Sequence, residues 1–201
     1  MNSAAKNIIV ITAITVVAGA LLGYVNEITK DPIKEQELLS KQEAYKSVFA
    51  EAASFDEYTD ATIEELDAYI ADNGYDQESV NEVLTASDAS GEKIGYVLGV
   101  ITHEGYGGDI SVYVGVADDG TVKGVDILSI SETAGLGMRA DTDEFKSQFA
   151  DKNVSRFSYT KTGKTADYEI DALSGATITT NAMTNAVNAA LTCFEKIGGG
   201  M

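Results

Sequence analysis

The pattern of apolar and polar residues changes twice along this chain, and its first part predicts a membrane-spanning helix. From Asn7 to Asn26 there are twenty consecutive uncharged residues, most of them Ile, Val, Ala, Leu or Gly. A helix of that length covers about 30 Å, which is the thickness of the hydrocarbon core of a bilayer. The segment is therefore predicted to be a single transmembrane anchor.

Two other interpretations of the apolar segment stay open. A buried core helix is disfavoured, because a small domain rarely encloses a helix that is apolar on every side. A cleaved signal peptide is compatible with the small residues Ala18–Ala20, although that position lies inside the apolar run. An uncleaved anchor is preferred, and Lys6, the only cation before it, favours a cytoplasmic N-terminus and an exported domain.

Helical patterns follow the apolar segment. Asp31-Pro32 is predicted to break the first helix, because a proline disfavours helical geometry in the residue before it. Residues 35–53 place apolar side chains on one broad face and predict a second helix. Thr62-Ile63-Glu64-Glu65 matches a capping box and predicts a short helix that ends near Ala71. Residues 31–78 are thus predicted to form a helical lead-in that packs on the main domain.

The pattern then changes to the two-residue alternation that is typical of strands. Strands are predicted over Val80–Ala86, Ile94–Thr102, Asp109–Ala117 and Val122–Ile130. The third of them alternates apolar residues with Ser, Tyr and Gly and is expected to be half-buried. Four strands joined as hairpins favour an antiparallel sheet.

Two helices are predicted beyond these strands. Asp141–Phe149 begins with a capping pattern, and residues 183–194 repeat apolar side chains at a spacing of three to four. The predicted fold class is α+β, with an N-terminal transmembrane helix before an antiparallel-sheet domain that is flanked by helices. The predicted divisions are an anchor (1–30), the lead-in (31–78), the main domain (79–197) and a flexible tail (198–201).

Composition and charge narrow the possible functions. The formal charge of the chain is -18. Residues 1–30 have a net charge of +1, so the remaining residues have a net charge of -19. Such a domain is repelled by nucleic acid, which excludes it as a partner. The single cysteine, Cys193, excludes an internal disulfide and a multi-cysteine metal site, and His103 is the only histidine. No metal site and no catalytic residue are predicted, so redox chemistry here requires an organic cofactor.

The segment Asp171 to Thr177, just before the last helix, is the strongest candidate for a binding site. Its small residues leave space beside the backbone, and Gly175 permits a sharp turn. The N-terminus of a helix offers unpaired N–H groups that favour a phosphate, and Thr177 places a hydroxyl within reach of it. The alternative is an ordinary loop followed by a Thr or Asn residue that caps the helix.

Two glycine-rich segments between predicted strands are weaker candidates. Ser131 to Gly137 has two glycines around a leucine, which suggests a loop packed against a flat group, although a turn at the end of a strand explains it equally well. Gly105 to Gly108 has three glycines in four positions, which is more than a hairpin requires. A flexible connection explains this segment as well.

Together, the three segments resemble a known family. Asp171 to Thr177 matches the D-x-x-S/T-G-A-T motif of the FMN-binding domain family, which includes the G subunit of the Rnf complex and the C subunit of the sodium-translocating NADH:quinone oxidoreductase. Glu132 to Gly137 resembles the family's E-T-P-G-L-G loop, with Ala134 in place of the usual proline. Gly105 to Ile110 resembles its Gly-Tyr segment. The anchor, the segment Glu27 to Ile33 and the short length are similar to the Rnf G subunit.

The resemblance implies a covalent flavin. In the family, a separate flavin transferase that uses magnesium moves FMN from FAD to the last threonine of the motif and releases AMP. The expected acceptor is Thr177, while Asp171 serves the transferase or its metal and Ser174 bonds to the phosphate. The other expected cofactor-binding residues are Gly175, Ala176, Glu132, Thr133, Gly135, Leu136, Gly137, Tyr106 and Gly107.

The resemblance also implies an electron carrier in a membrane complex. The expected function is that of an electron-transfer subunit of an Rnf-type ion-translocating ferredoxin:NAD oxidoreductase, without a substrate site of its own. Its expected partners are the membrane and peripheral subunits of that complex, at the inner or cytoplasmic membrane, with the flavin domain on the extracytoplasmic side. The alternatives are a stand-alone exported flavoprotein, the quinone-reductase C subunit, and an anchored binding module without a cofactor.

Overall fold

The structure is a computed structural model that describes residues 3–198. The chain forms two compact units, one up to Lys41 and the other from Gln42 onward. Of the flexible tail predicted over residues 198–201, only Gly198 lies within the described residues.

The first helix, α1, runs from Ser3 to Val48. It is long and apolar enough to cross a membrane, and none of its apolar window is buried inside the protein. The interpretation as a buried core helix is therefore wrong. The length, the composition and the exposure of this helix are those of a single-pass membrane anchor.

The helix break that we predicted at Asp31-Pro32 is wrong, because Pro32 lies inside α1. A proline in a helix removes one backbone hydrogen bond and crowds the carbonyl four residues earlier, here that of Ile28, at a cost of about 3 kcal/mol. Two conditions make this tolerable. The helix has 46 residues, so many intact turns flank the defect. Ile28 is 54% exposed, so its freed carbonyl is not enclosed by other parts of the protein. The helix also ends at Val48, five residues before the predicted end.

The unit from Gln42 onward contains a six-stranded antiparallel sheet, in which the strands lie side by side in the order in which they occur in the chain. Its strands are β1 (Ser54–Glu57), β2 (Glu78–Ser87), β3 (Lys93–Thr102), β4 (Ile110–Ala117), β5 (Thr121–Ser129) and β6 (Lys152–Asn153). The four predicted strands and their antiparallel pairing are confirmed. The two edge strands were not predicted, because stretches of four and two residues are too short to show a period.

Helices cover both faces of the sheet. On one face lie α2 (Ile63–Asp72), which begins with the predicted capping box, and the long α4 (Thr177–Ile197). The other face is covered by the end of α1 and the residue after it, where Tyr45 and Phe49 pack against β3 and β4. The prediction that the third strand is half-buried is therefore wrong, since all but its last residue are buried.

Glycines allow the end of α1 to lie directly on the sheet. Gly115 of β4 and Gly124 of β5 are cross-strand partners. A side-chain carbon on Gly115 would overlap the Val48 carbonyl oxygen, and one on Gly124 would be 3.0 Å from the Val48 Cα. These two positions leave the space that the helix backbone occupies.

Short elements connect the sheet to α4. A 3-10 turn over Gly137–Asp141 leads into α3 (Asp143–Lys146), whose first turn is capped by Thr142, so the helix predicted over Asp141–Phe149 is shorter than expected. A small parallel pair, β7 (Ser158–Thr160) and β8 (Glu169–Asp171), was not predicted. Only five residues separate β8 from α4.

Candidate functional site

The start of α4 has the properties of an anion site. Its N-cap is Ala176, which has no side chain to cap the helix. The first intrahelical bond runs from the Thr180 N–H to the Ala176 carbonyl at 3.0 Å. None of the N–H groups of residues 177–179 donates to another group within residues 3–198. The alternative of a Thr or Asn cap is thus wrong. Three N–H donors are unpaired at the positive end of the helix dipole.

Thr177 is the first residue of α4 and is half-buried. Its hydroxyl takes part in no hydrogen bond among the described residues, so it is available as a nucleophile or a ligand. A threonine at the N-cap bonds its hydroxyl to the backbone of the first turn, but Thr177 lies one position after the N-cap. Here it is free beside the three unpaired donors.

A buried threonine one turn further fixes the chain before α4. The Thr180 hydroxyl accepts a hydrogen bond from the Leu173 N–H at 3.0 Å and donates to the Ala176 carbonyl at 2.9 Å. Between these contacts, Gly175 has φ +79, a conformation that side chains disfavour. The loop is thereby held in one path.

The three candidate segments meet around one cavity of about 600 Å³. The 105–108 loop, the 131–137 loop and the start of α4 all contribute to its wall. The lining residues are Tyr106, Glu132, Thr133, Leu136, Gly137, Gly175, Ala176, Thr177, Ile178 and Thr179. Eight of these ten are among the residues that the sequence indicated.

The wall of the cavity carries an unusual amount of exposed apolar surface. Tyr106, Leu136 and Ile178 are 72%, 43% and 52% exposed. From Gln42 to Gly198, the only other large hydrophobic side chain with comparable exposure is Tyr168. Clustered exposed apolar groups mark binding surfaces, because covering them removes unfavourable contact with water.

The two glycine-rich loops are packed against each other at Glu132. The Glu132 side chain is buried, and its Oε1 accepts a hydrogen bond from the Gly107 N–H at 3.3 Å. A side-chain carbon on Gly107 would overlap the Ser131 carbonyl oxygen. One on Gly137 would be 2.5 Å from Glu132 Oε2 and 2.6 Å from Thr179 Oγ1. The glycines are therefore required by close packing rather than by flexibility.

Four predicted residues lie outside the cavity wall. Gly107 supports the loop as described, while Gly135 and Ser174 are exposed. The Asp171 carboxylate accepts a hydrogen bond from the Lys164 N–H at 2.6 Å, so it braces the segment that precedes β8. The structure does not bring these four together with the cavity.

The side chains of three residues near the cavity were not among the predicted cofactor-binding residues. Ile178 and Thr179 line it, and Thr180 holds the loop. An apolar residue in the first turn, followed by hydroxyls on the buried face of the helix, was the signal for them in the sequence.

Comparisons with known proteins agree with this arrangement. Residues 105–192 match the profile of the FMN-binding domain, and residues 1–48 match that of the RnfG N-terminal region. The first match contains the whole cavity, and the second covers α1 to its last residue.

Two relatives cover nearly the whole chain. The G subunit of the Na(+)-translocating ferredoxin:NAD(+) oxidoreductase complex of Acetobacterium woodii is 28% identical over 94% of this chain and 90% of its own. The G subunit of the ion-translocating oxidoreductase complex of Methanosarcina acetivorans is 32% identical over 92% of both chains. The crystal structure of Shewanella oneidensis NqrC has the same fold, with a TM-score of 0.50 and 21% identity over 75% of this chain and 84% of that one.

Proposed function

The chain belongs to the family of G subunits of ion-translocating oxidoreductase complexes, and from this membership we propose an electron-transfer function at the cavity beside α4. It is the membrane-anchored subunit of an Rnf-type ferredoxin:NAD oxidoreductase complex, and it carries FMN esterified to Thr177. The observation that carries the proposal is the free Thr177 hydroxyl at an uncapped helix N-terminus, on the wall of an apolar cavity.

The residues of the site fit both ends of FMN. A phosphate on Thr177 would accept hydrogen bonds from the unpaired N–H groups of the first turn, and the positive end of the helix dipole would stabilise its charge. The exposed side chains of Tyr106, Leu136 and Ile178 offer apolar contact for a flat ring system. Met138, which follows Gly137, is not in the wall of the cavity.

When bound, FMN supplies one-electron and two-electron transfer, which links carriers of the two kinds. The protein's part is to hold and orient the group. Buried Thr180 fixes the loop before Thr177, and Glu132 ties the two glycine loops together. The ester leaves the ring chemically unmodified and prevents loss of the cofactor.

Attachment needs a flavin transferase as a maturation partner. A bond forms between Thr177 Oγ and the FMN phosphorus of FAD, and the pyrophosphate bond breaks. AMP leaves, and the hydroxyl proton passes to a base or to water. The exposed Ser174 and the half-buried Asp171 lie just before the acceptor, where a transferase can reach them.

We also propose which side of the membrane the domain occupies and what it binds there. Lys6 precedes the span, and the -19 domain follows it, which favours a cytoplasmic N-terminus and an extracytoplasmic flavin domain. The partners are the other membrane and peripheral subunits of the complex.

The test is the intact mass of the full chain made together with a flavin transferase. Wild type is expected to gain the mass of one FMN less one water, confined to the peptide that contains Thr177, and to fluoresce on a denaturing gel under ultraviolet light. Thr177→Ala should lose both signals, and Thr177→Ser should keep them because it keeps the hydroxyl. The exposed Thr162→Ala is the matched control. A wild-type mass equal to that of the amino acids alone would overturn the proposal.

A further inference from the structure

A pair of carboxyl groups, one buried and one half-buried, lies behind the 105–108 loop. Glu78 begins β2 and is 6% exposed, and Glu104 follows the end of β3. The buried Thr102 hydroxyl donates to Glu78 Oε1 at 3.1 Å and accepts from the Glu104 N–H at 3.3 Å. One threonine thus holds both glutamates in place.

The pair is also tied to the helix that carries the candidate attachment site. Glu104 Oε2 accepts hydrogen bonds from Asn185 Nδ2 at 2.5 Å and from Asn181 Nδ2 at 3.4 Å. Asn181 is one turn after Thr177 on α4. These two amides satisfy one oxygen of Glu104 without adding a positive charge.

The chemistry of the pair points to a bound proton. Glu78 is buried, has no ion-pair partner among residues 3–198 and has the Glu104 side chain beside it, so the charged form of its carboxyl is disfavoured. Burial and then the charge of Glu104 raise the pKa of Glu78 to about 7, against the opposing effect of the Thr102 hydroxyl. Within residues 3–198, no group of three or more acidic, His or Cys side chains is arranged to hold a metal ion.

The pair is close to the wall of the candidate flavin cavity. Glu104 is followed by Gly105, where a side-chain carbon would be 3.1 Å from Glu132 Oε1. Glu132 itself lines the cavity. Charge added in the cavity would therefore act on the pair through protein rather than through bulk water, which weakens screening.

We propose that Glu78 and Glu104 form a proton-binding site that takes up one proton from water when negative charge is added in the cavity and releases it when that charge is removed. The charge in question rests on the proposed function, since it is the electron that other carriers of the complex deliver. The uptake forms one O–H bond on a carboxylate oxygen and changes no other bond.

Other ionisable groups surround the pair from the neighbouring elements. Asp76 adds negative charge on the approach to β2 and raises the pKa of Glu78, and the Glu132 carboxylate lies across Gly105. Arg156 carries the nearby positive charge and lies over the Tyr75 ring, 5.3 Å from the centroid. The exposed pair of His103 and Asp109 lies at the end of β3 beside Glu104. The asparagines of α4 are uncharged.

The first test asks whether the proton site exists, and it needs no flavin. The side-chain carboxyl signals of ¹³C-labelled glutamates are followed by NMR against pH in the full-length Thr177→Ala chain. One glutamate is expected to titrate well above the ordinary glutamate range and to disappear from the titration in Glu78→Gln. The exposed Glu92→Gln should leave it unchanged. Titration of every glutamate in the ordinary range would overturn the proposal.

The second test asks whether the site responds to charge in the cavity. The reduction potential of the flavin-loaded chain is measured against pH for wild type, Glu78→Gln, Glu104→Gln and Glu92→Gln. Across neutral pH, the reduction potential should fall less steeply with rising pH in Glu78→Gln and Glu104→Gln than in wild type, because these two variants cannot exchange the proton. Superimposable curves for all four proteins would overturn the coupling. A loaded chain that fails to form would instead contradict the proposed function, which the mass measurement detects separately.

Discussion

The hydroxyl of Thr180 accepts a hydrogen bond from the N–H of Leu173, seven residues earlier, at 3.0 Å. It also donates to the Ala176 carbonyl at 2.9 Å, and its side chain is fully buried. One hydroxyl thus satisfies two backbone groups of the loop that leads to Thr177. The acceptor site depends on a residue that does not itself line the cavity.

Replacement of Thr180 should therefore weaken both the fold and the modification. Thr180→Val keeps the shape but leaves the buried Leu173 N–H unpaired, which costs about 1–3 kcal/mol of unfolding free energy. The measurements are urea unfolding and the fraction of chain that carries flavin. Thr184→Val is the matched control, because the Thr184 hydroxyl bonds only within the helix, to the Thr180 carbonyl. Equal losses in the two variants would contradict this role.

A side chain at Gly137 should disrupt the cavity. The new carbon would meet Glu132 Oε2 at 2.5 Å and Thr179 Oγ1 at 2.6 Å, so the 131–137 loop or the first turn of α4 must shift. Overpacking of this kind typically costs about 1–3 kcal/mol. Gly137→Ala is expected to lower the midpoint of thermal unfolding and the extent of flavin attachment, whereas Ala134→Ser, in the exposed part of the same loop, should change neither. An unaffected Gly137→Ala protein would show that the loops are more adaptable than their packing indicates.

A side chain at Gly115 should weaken the contact between the end of α1 and the sheet. Gly115→Ala would place a methyl group against the Val48 carbonyl. A loss of about 1–3 kcal/mol of unfolding free energy is expected. Because the obstructing atom belongs to the backbone, adding Val48→Ala should not restore the loss. Rescue by that second substitution would mean that side chains, rather than main chain, limit the approach.

The ion pair between Asp126 and Lys146 predicts a specific dependence on pH. Burial disfavours the charged form of Asp126, but hydrogen bonds from Lys146 at 2.6 Å and from Ser47 at 2.6 Å outweigh it, so the pKa of Asp126 is lowered. A lowered pKa gives stability above the unfolded value, near 4, that is lost as the pH falls through the folded value. Asp126→Asn should cost about 1–3 kcal/mol at pH 7 and progressively less below pH 4.

Urea unfolding at pH 7 and at pH 3 measures this difference. The control is Asp167→Asn, since Asp167 pairs with Lys152 on the surface and is 80% exposed. Surface pairs contribute little, so the control should show a small effect at both pH values. A loss for Asp126→Asn that is the same at both pH values would exclude the ionised carboxylate as its cause.

The central strands and the last helix could be predicted because their periods are long enough to recognise. The alternation of Ile110, Val112, Val114 and Val116 specifies β4. The sequence could not reveal that Tyr113 and Gly115 are buried on the opposite face, because their partner, the end of α1, is more than sixty residues away. Pro32 was misjudged for a similar reason, since a local rule for helix breaking takes no account of the length of the surrounding helix.

The site was predictable as far as it resides in contiguous motifs. The segment from Asp171 to Thr177 and the two glycine loops were all marked by small residues, and the structure brings them around one cavity. The carboxyl pair could not be found in this way, because Glu78 and Glu104 are far apart in sequence and look like ordinary surface residues. Only the pairing of β2 with β3 brings them together.

The sheet is assembled from neighbours in chain order, so each strand can add to the one made just before it. The cavity, in contrast, needs α4, which follows all six of these strands in the chain. The acceptor hydroxyl is therefore shaped only after the whole sheet has been synthesised. A transferase that reads folded geometry would act after that point, and a chain truncated within α4 would escape it even with Thr177 present.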